Sequence, residues 1–399
     1  MVKPPLRGNR DLIKAMNRNL ILNIVRREGP LSRTQLTEVS GLSVGAVSQI
    51  INDLIENNWI LEVGEGDYTG GRRQVLLRLN PTAGYAIGLK LMEKRVVCTV
   101  TDFEGRMVHY QGHSFDISDT SPEGTTRALV EIVNRTMNAV GYERGQVLGV
   151  GIGLAGVVYS HTGVVHYSPF FGWRNVPLAD MVSLQLGIPV YVENDVNTLT
   201  LSEHLFGAGR HQSHFIVVTV GRGIGMGIVI NGQIYRGANG GAGEIGHTVL
   251  DLPHARRFGI EAGSLEGLAA DAAVIQYARA QRKGQHLTLD DITAAAAEGD
   301  EIAREALEQS GEWLGVGLAA AVNILCPALV IVSGEGVAAG DFRLKPMLAA
   351  LRRYTFNGLL DDVQVVVKPA DDQAWARGAA SLVISKVFES PLVEGKTIQ

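Results

Sequence analysis

Apolar residues Leu12, Ile13, Met16, Leu20, Ile21, Ile24 and Val25 fall three or four positions apart, and Gly29-Pro30 ends the run. A long amphipathic helix is predicted. Ser32-Arg33-Thr34-Gln35 then has capping-box form, in which a hydroxyl and an amide satisfy free backbone N–H groups, and the helix it starts ends at Ser40-Gly41. Ser43 opens a third helix. Its Val44, Val47, Ile50, Ile51, Leu54 and Ile55 form one apolar stripe, with Gly45, Ser48, Gln49 and Asn52 opposite. Trp59 to Val63 and Gln74 to Leu79 read as two strands around a Gly-rich turn that ends in Gly70-Gly71-Arg72-Arg73.

After Asn80-Pro81 the pattern becomes short β-rich runs separated by helices. Strands are predicted at 85–91, 96–102, 107–114 and 147–153, with a helix at 122–140. A second set has strands at 215–220, 227–231, 328–333 and 363–368, and helices at 265–281 and 301–324. Strands followed by helices, twice over, predict two α/β lobes, with a ligand expected between them. The expected division is a head over 1–80, a first lobe over 81–195 and a second lobe over 196–370. A helix at 371–390 is expected to return to the first lobe.

Two short helices joined by a tight Gly turn, the second carrying small and amide side chains near its start, fit a helix-turn-helix entering a DNA major groove. Gln49 suits an adenine edge, Ser43 and Ser48 suit phosphates, and Gly45 lies on the same small, polar side. A helical bundle with a solvated polar face would show the same three helices. The two strands argue for a winged head, and Arg72 and Arg73 at the wing tip suit a minor groove or phosphates.

Charge agrees in sign with this reading. Residues 1–80 hold 11 Lys and Arg against 8 Asp and Glu, whereas the other residues hold 25 against 33, for a chain total of −5. A basic head on an acidic body suits an anionic partner for the head alone. With 399 residues, 46% of them hydrophobic, the chain can bury a sizeable core. No run reaches the roughly 18 apolar residues of a membrane span, and MVKPPLRGNRDLIK lacks a signal-peptide core, so a cytoplasmic protein without membrane contact is expected. Cys98 and Cys326 sit singly in apolar segments and read as buried small hydrophobes.

Several segments together carry a family resemblance. In the head they are Gly29-Pro30-Leu31-Ser32-Arg33, Gly41-Leu42-Ser43 and Gly70-Gly71-Arg72-Arg73. In the body they are Gly172-Trp173, Glu193-Asn194-Asp195-Val196-Asn197, Gly223-Ile224-Gly225-Met226-Gly227, Gly243-Glu244-Ile245-Gly246-His247 and Gly334-Glu335-Gly336-Val337. In order and spacing the chain resembles the ROK group (repressors, open reading frames and kinases). That resemblance implies an α/β, actin-like/hexokinase-like two-lobed body behind an N-terminal winged helix-turn-helix domain.

It also implies that Asn194, Asp195, Glu244, His247 and Glu266 surround a sugar, with Asp195 at the position of the base that takes the proton from the attacking hydroxyl. Carboxylates and amides suit the task, because vicinal hydroxyls donate and accept together. The family's zinc site combines the histidine at 247 with a cysteine cluster, but here Arg256 to Ser264 contains no cysteine, so no metal is expected. Kinases of the group carry Asp-Gly-Gly-Thr in the first body strand, where small residues admit nucleotide phosphates. This chain has Lys90 in place of the Asp, with Met92 and Glu93 in place of glycines. Glu335 interrupts a further glycine triplet, and Phe170 stands where an Asn often follows the Pro.

The expectation is therefore a sugar-responsive transcriptional regulator that works as a repressor without a cofactor and is not an enzyme. Its expected partners are a double-stranded DNA operator, a small-molecule sugar effector and its own copies, as a homodimer or dimer of dimers. The alternatives are an ATP-dependent sugar kinase with an added head, in which Asp195 is catalytic, and a regulator answering to a phosphosugar or protein.

Overall fold

A computed structural model of the chain describes residues 10–65, 74–110, 115–281 and 287–389. The head consists of α1 (Arg10–Glu28), β1 (Leu31–Ser32), α2 (Arg33–Ser40), α3 (Val44–Glu56), β2 (Ile60–Glu65) and β3 (Val75–Leu79). Its caps are local chemistry. Ser32 Oγ accepts from Gln35 N at 3.3 Å while Gln35 Oε1 accepts from Ser32 N at 2.8 Å, which completes the capping box of α2. Gly41 closes α2 at φ +67°, a left-handed conformation that glycine adopts without a Cβ clash. Ser43 caps α3 through Ala46 N.

The head core is the buried set Ile21, Leu36, Val47, Ile51, Leu54, Ile60 and Leu77. Strands β1, β3 and β2 pair in that order as a small antiparallel sheet, with Leu31 opposite Leu77 and Ile60 opposite Leu79. The two-residue β1 is an addition to the expected strands. Arg72 and Arg73, at the expected wing tip, lie outside the described residues.

The body continues with β4 (Tyr85–Leu91), β5 (Arg95–Thr101), β6 (Met107–Tyr110), β7 (Phe115–Asp116), α4 (Pro122–Val140), β8 (Val147–Leu154), β9 (Val157–Tyr159), β10 (Val164–Ser168), β11 (Trp173–Val176), α5 (Leu178–Leu186), β12 (Val190–Asn194) and α6 (Asp195–Phe206). There follow β13 (Phe215–Val220), β14 (Ile224–Ile230), β15 (Gln233–Ile234), α7 (Leu252–Phe258), α8 (Leu265–Ala269), α9 (Asp271–Gln281), α10 (Leu289–Ala297), α11 (Glu301–Leu325), β16 (Leu329–Ser333), α12 (Asp341–Tyr354), β17 (Gln364–Val367) and α13 (Asp372–Phe388).

The chain forms two compact units. One takes in the head, the chain up to Gly153, Pro177–Val192 and everything from Ala379 onward; the other takes in Leu154–Val176 and Glu193–Gly378. In the first, the main sheet runs β12-β8-β4-β5-β6, and β4 and β5 pair antiparallel from Ala86 opposite Thr101 to Leu91 opposite Val96. In the second, the sheet runs β15-β14-β13-β16-β17, antiparallel on the β14 side of β13 and parallel from β13 through β16 to β17. The helices α8, α11 and α12 contribute Leu265, Leu314, Leu318, Val322, Met347 and Leu351 to the core with Ile216, Val218, Val330 and Val332 of that sheet. The small sheet β11-β10-β9 also belongs to this unit. Among the described residues no helix is long and apolar enough to cross a membrane.

Two sequence readings need correction. Cys98 is buried against Thr136, and burial pushes its thiol up to about 12. Cys326, by contrast, is exposed, because it ends α11 at φ +44° instead of packing inside it. Val44 is 69% exposed: it lies in the first turn of α3, where the stripe has run past the head core.

The capping box carries a simple expectation. Ser32→Ala should lower stability by about 1 kcal/mol, the usual cost of losing an N-cap hydroxyl, and a denaturant melt of the full chain measures it.

Candidate functional site

The expected sugar residues all lie in the second unit, and backbone geometry explains where each one points. β12 runs directly into α6 at Asn194 and Asp195. Asn194 is the N-cap: its Oδ1 accepts from Val196 N at 2.9 Å and Asn197 N at 3.2 Å, and its Nδ2 donates to Gly156 O at 3.0 Å. With those three bonds made, one amide hydrogen remains for a ligand. Asp195, the first residue of α6, is 9% exposed and accepts from Val196 N at 2.9 Å. A carboxylate there also gains from the positive end of the helix.

Glu193 is the element of this motif whose role sequence reasoning missed. It is fully buried, its Oε2 accepts from Arg236 Nε at 2.6 Å, and its Oε1 accepts from Asn194 N and Asn197 Nδ2. Arg236 follows β15, and its carbonyl accepts from Ala242 N at 3.2 Å in the loop that leads to Glu244. A buried ion pair therefore joins the start of α6 to the Gly-rich segment. Arg236, 43 positions away, gave no local signal.

The Gly-rich segment packs closely on β14. A Cβ on Gly243 would fall 1.8 Å from Met226 O, and its φ is +96°, so this position demands glycine. The tight approach sets Glu244 beside its partners. Glu244 lies 3.8 Å from His247 Nε2, with side chains 44% and 67% exposed. The Glu244 carboxyl is held above its ordinary value, first by burial and then by the negative charges of Asp195 and Glu266, against an opposing pull from His247. Glu266, in α8, accepts from Ile224 N at 2.9 Å in the hairpin between β13 and β14. The structure thus brings Asp195, Glu244 and Glu266 into one electrostatic neighbourhood, with Asn194 beside Asp195 and His247 at the exposed edge. Phe170 lies beneath the Arg222 guanidinium, 4.6 Å from its ring centre to Cζ, in the turn between β10 and β11.

The family's zinc does not fit this donor set. His247 is largely exposed, no thiolate is present in 256–264, and among the described residues no group of three His, Cys, Asp or Glu side chains could hold a metal. The loop is held by its backbone instead. Leu250 N and Asp251 N both donate to Gly263 O, and Val249 bridges Ser264.

The resemblance sets Lys90, Met92, Glu93 and Glu335 near a nucleotide, and each has a definite local setting. Lys90 is buried in β4 opposite Val97, and Met92 N donates to Arg95 O in the turn that also carries Glu93. In the second unit the Glu335 carboxylate is fixed by Trp375 Nε1 at 2.9 Å, and its other oxygen lies 2.6 Å from where a Cβ on Gly221 would stand. An anionic side chain thus occupies the gap between two Gly-rich turns.

In the head, Gly45 and Gln49 are exposed on α3, Ser48 is half-buried, and nothing lies within 4 Å of a Cβ built on Gly45. Ser43 is exposed, with its hydroxyl engaged as the cap. Val44 is exposed beside them in the first turn of α3. Arg33, read from sequence only as part of the cap, braces the interface: it donates to Asn52 Oδ1 at 2.9 Å and lies 3.6 Å from Glu62 of β2. Asn52 is thereby turned to a structural bond.

The raised carboxyl of Glu244 predicts a pH-dependent gain on neutralisation. The fold favours its protonated form, so that contribution to stability is complete below the ordinary value of 4.5 and is lost as pH rises through the folded value. Glu244→Gln should therefore raise Tm at about pH 8 and change it less at about pH 4, as read by paired thermal melts.

Comparison with known proteins closes the description. The ROK family pattern matches residues 86–386, and that of winged helix-turn-helix DNA-binding domains matches 17–60. The xylose repressor of Caldicellulosiruptor bescii is 29% identical over 396 residues, 96% of this chain and 99% of that one. The DNA-binding transcriptional dual regulator NagC of Escherichia coli K12 is 29% identical over 395 residues, 97% of each. A solved ROK family transcriptional regulator, a homologue of the E. coli MLC protein, shares the fold with a TM-score of 0.84 at 24% identity, over 96% of this chain and 98% of that one. A ROK family glucokinase from Streptomyces griseus, in complex with glucose and AMPPNP, is 30% identical with a TM-score of 0.65, over 75% of this chain and 99% of that one. With the family pattern running through most of its body and the winged head in front, this chain belongs to the ROK family.

Proposed function

We propose that this protein is a sugar-responsive DNA-binding repressor of carbohydrate-utilisation genes, whose kinase-like body senses a sugar and does not phosphorylate it. The observation that carries the reading is the pairing, in one chain, of an accessible small and polar face on α3 at Gly45, Ser48 and Gln49 with a carboxylate cluster of Asp195, Glu244 and Glu266. The relatives named above, a xylose repressor and a DNA-binding regulator, match it over nearly its whole length.

Charge argues against phosphoryl transfer. Catalysis of that reaction rests on positioning the phosphates and on a cationic environment for the charge that develops. Lys90 stands in place of the acidic residue and is drawn into β4, while the Glu335 carboxylate fills space beside Gly221. Asp195 then serves as a hydroxyl acceptor. Asn194 contributes at most one further hydrogen, and His247 lies where it can donate or accept at the rim.

The operator partner follows from the head, and two half-sites require a homodimer or a dimer of dimers. A sugar changes operator occupancy only through its differential affinity for two states, a tenfold preference amounting to about 1.4 kcal/mol.

Fluorescence anisotropy with an operator duplex tests the reading. Binding should weaken steeply with salt, one sugar from a panel containing D-xylose and N-acetylglucosamine should release the duplex, and Glu244→Ala should abolish release while operator binding stays intact. Sugar-dependent ADP formation that vanishes in Asp195→Asn would make the protein a kinase. Unchanged release in Glu244→Ala would remove the carboxylate cluster as the sensor. In the head, Gln49→Ala should cost about 1–3 kcal/mol of discrimination at a single base pair, measured across a set of operator variants.

A further inference from the structure

The end of α13 is held by α1. Asn19 Nδ2 donates to Glu389 O at 2.9 Å and Val387 O at 3.4 Å, and Asn23 Nδ2 donates to Phe388 O at 3.0 Å. The last carbonyls of an α-helix have no partner within their own helix. Here they are taken by side chains some 370 positions earlier in the chain. Asn23 Oδ1 accepts from Arg26 at 3.3 Å, and the Arg26 guanidinium, 5% exposed, lies 5.2 Å from the Phe388 ring centre.

The contact continues into the head. Phe388 stacks on Phe103 at 5.4 Å, Phe103 meets the edge of Trp59 at 5.2 Å, and Arg18 of α1 lies over Trp59 at 5.4 Å. Trp59 is the residue between α3 and β2 whose carbonyl accepts from Asn80 N. The helix that α13 holds also packs on α2, α3 and β3. Fixing α1 therefore fixes the recognition helix.

The opposite end of α13 belongs to the sugar-reading unit. Trp375 lies in one core with Val196 and Leu199 of α6, the helix that begins at Asp195. Gly378 approaches α6 so closely that a Cβ there would lie 3.0 Å from Leu199 N. One continuous helix thus carries both contacts.

We propose that Asn19 and Asn23 form a latch on the end of α13 that positions the DNA-binding head and passes sugar occupancy to it. The latch rests on the sugar-responsive reading above. Both asparagines are positioning residues: they touch neither sugar nor DNA in this assignment.

The test uses the full chain in three forms: wild type, Asn19→Ala/Asn23→Ala, and Asn19→Asp/Asn23→Asp, which keeps the side-chain shape but cannot donate. Calorimetry with D-xylose and N-acetylglucosamine reads sugar affinity, and anisotropy reads operator affinity with and without the sugar that binds. Wild type should show a sugar-dependent change in operator affinity of about tenfold, within the usual range of coupling between sites. Both double variants should keep wild-type sugar affinity and lose that change. Variants that respond to sugar as fully as wild type would overturn the latch and leave the sugar reading standing. Loss of sugar affinity together with operator binding would mark the asparagines as merely structural, and also overturns it. A wild-type protein whose operator affinity no sugar alters would instead sink the sugar reading itself, and with it any signal through α13.

Discussion

The buried pair between Glu193 and Arg236 is the interaction on which the candidate site depends. Glu193 is fully buried, and a carboxylate out of water is tolerated only when it is paired and hydrogen-bonded. Arg236 supplies the charge, and Asn194 N and Asn197 Nδ2 supply the remaining bonds. The pair also sets geometry. On one side it fixes the first turn of α6, where Asn194 caps and Asp195 emerges; on the other it anchors the loop from Arg236 to Glu244. Removing either partner leaves a buried charge uncompensated, typically a cost of about 3–5 kcal/mol. The candidate ligand residues are thus held by a buried pair that is not itself part of the candidate set.

A site of this kind is suited to hydroxyl groups and poorly suited to an anion. Burial first, and then the charges of Asp195 and Glu266, hold the Glu244 carboxyl above its ordinary value against the pull of His247, so an added negative charge meets an unfavourable field. Hydroxyls relieve part of that cost by donating to the carboxylates, and charge-assisted bonds of this sort contribute about 1.5–3 kcal/mol each. A nucleotide brings the opposite balance. On the family resemblance its phosphates would approach a region in which Glu335 is fixed by Trp375 beside the Gly221 turn. Here the space beside Gly221 is taken by a carboxylate of the protein itself.

Much of the head was legible in the sequence because its signals are local. The capping box at Ser32 and Gln35, the left-handed Gly41 and the Ser43 cap each declare a helix boundary within a few residues. The stripe on α3 was legible as a pattern but not in its extent. Periodicity assigned Val44 to the core, whereas the core begins at Val47, and that difference leaves an apolar residue exposed. The body strands were visible as β-rich runs, but the small sheet of β9, β10 and β11 was not, since its strands are too short for a period to register. Cys326 shows the same limit: its apolar neighbours suggested burial, and a helix end with a positive φ put it at the surface. Arg33, Arg236 and the asparagines of α1 act through partners far along the chain, so no window of sequence could have identified them.

Asp195 can serve either a kinase or a sensor, for a physical reason. A catalytic base and a hydroxyl acceptor need the same atom in the same place, and only the pKa and the neighbouring electrophile distinguish the two tasks. Placement at the first turn of α6, with the Val196 N–H bonded to Oδ1, fixes that carboxylate in position, which suits an acceptor as well as a base. When the phosphate donor is excluded, the binding energy that a kinase would direct toward its transition state remains available to shift a conformational equilibrium. The helix beginning at Asp195 is packed on α13 through Leu199 and Gly378, so the proposed sugar acceptor heads an element in direct contact with α13. On the proposed reading, sensing requires no new site, only the old one coupled to a head.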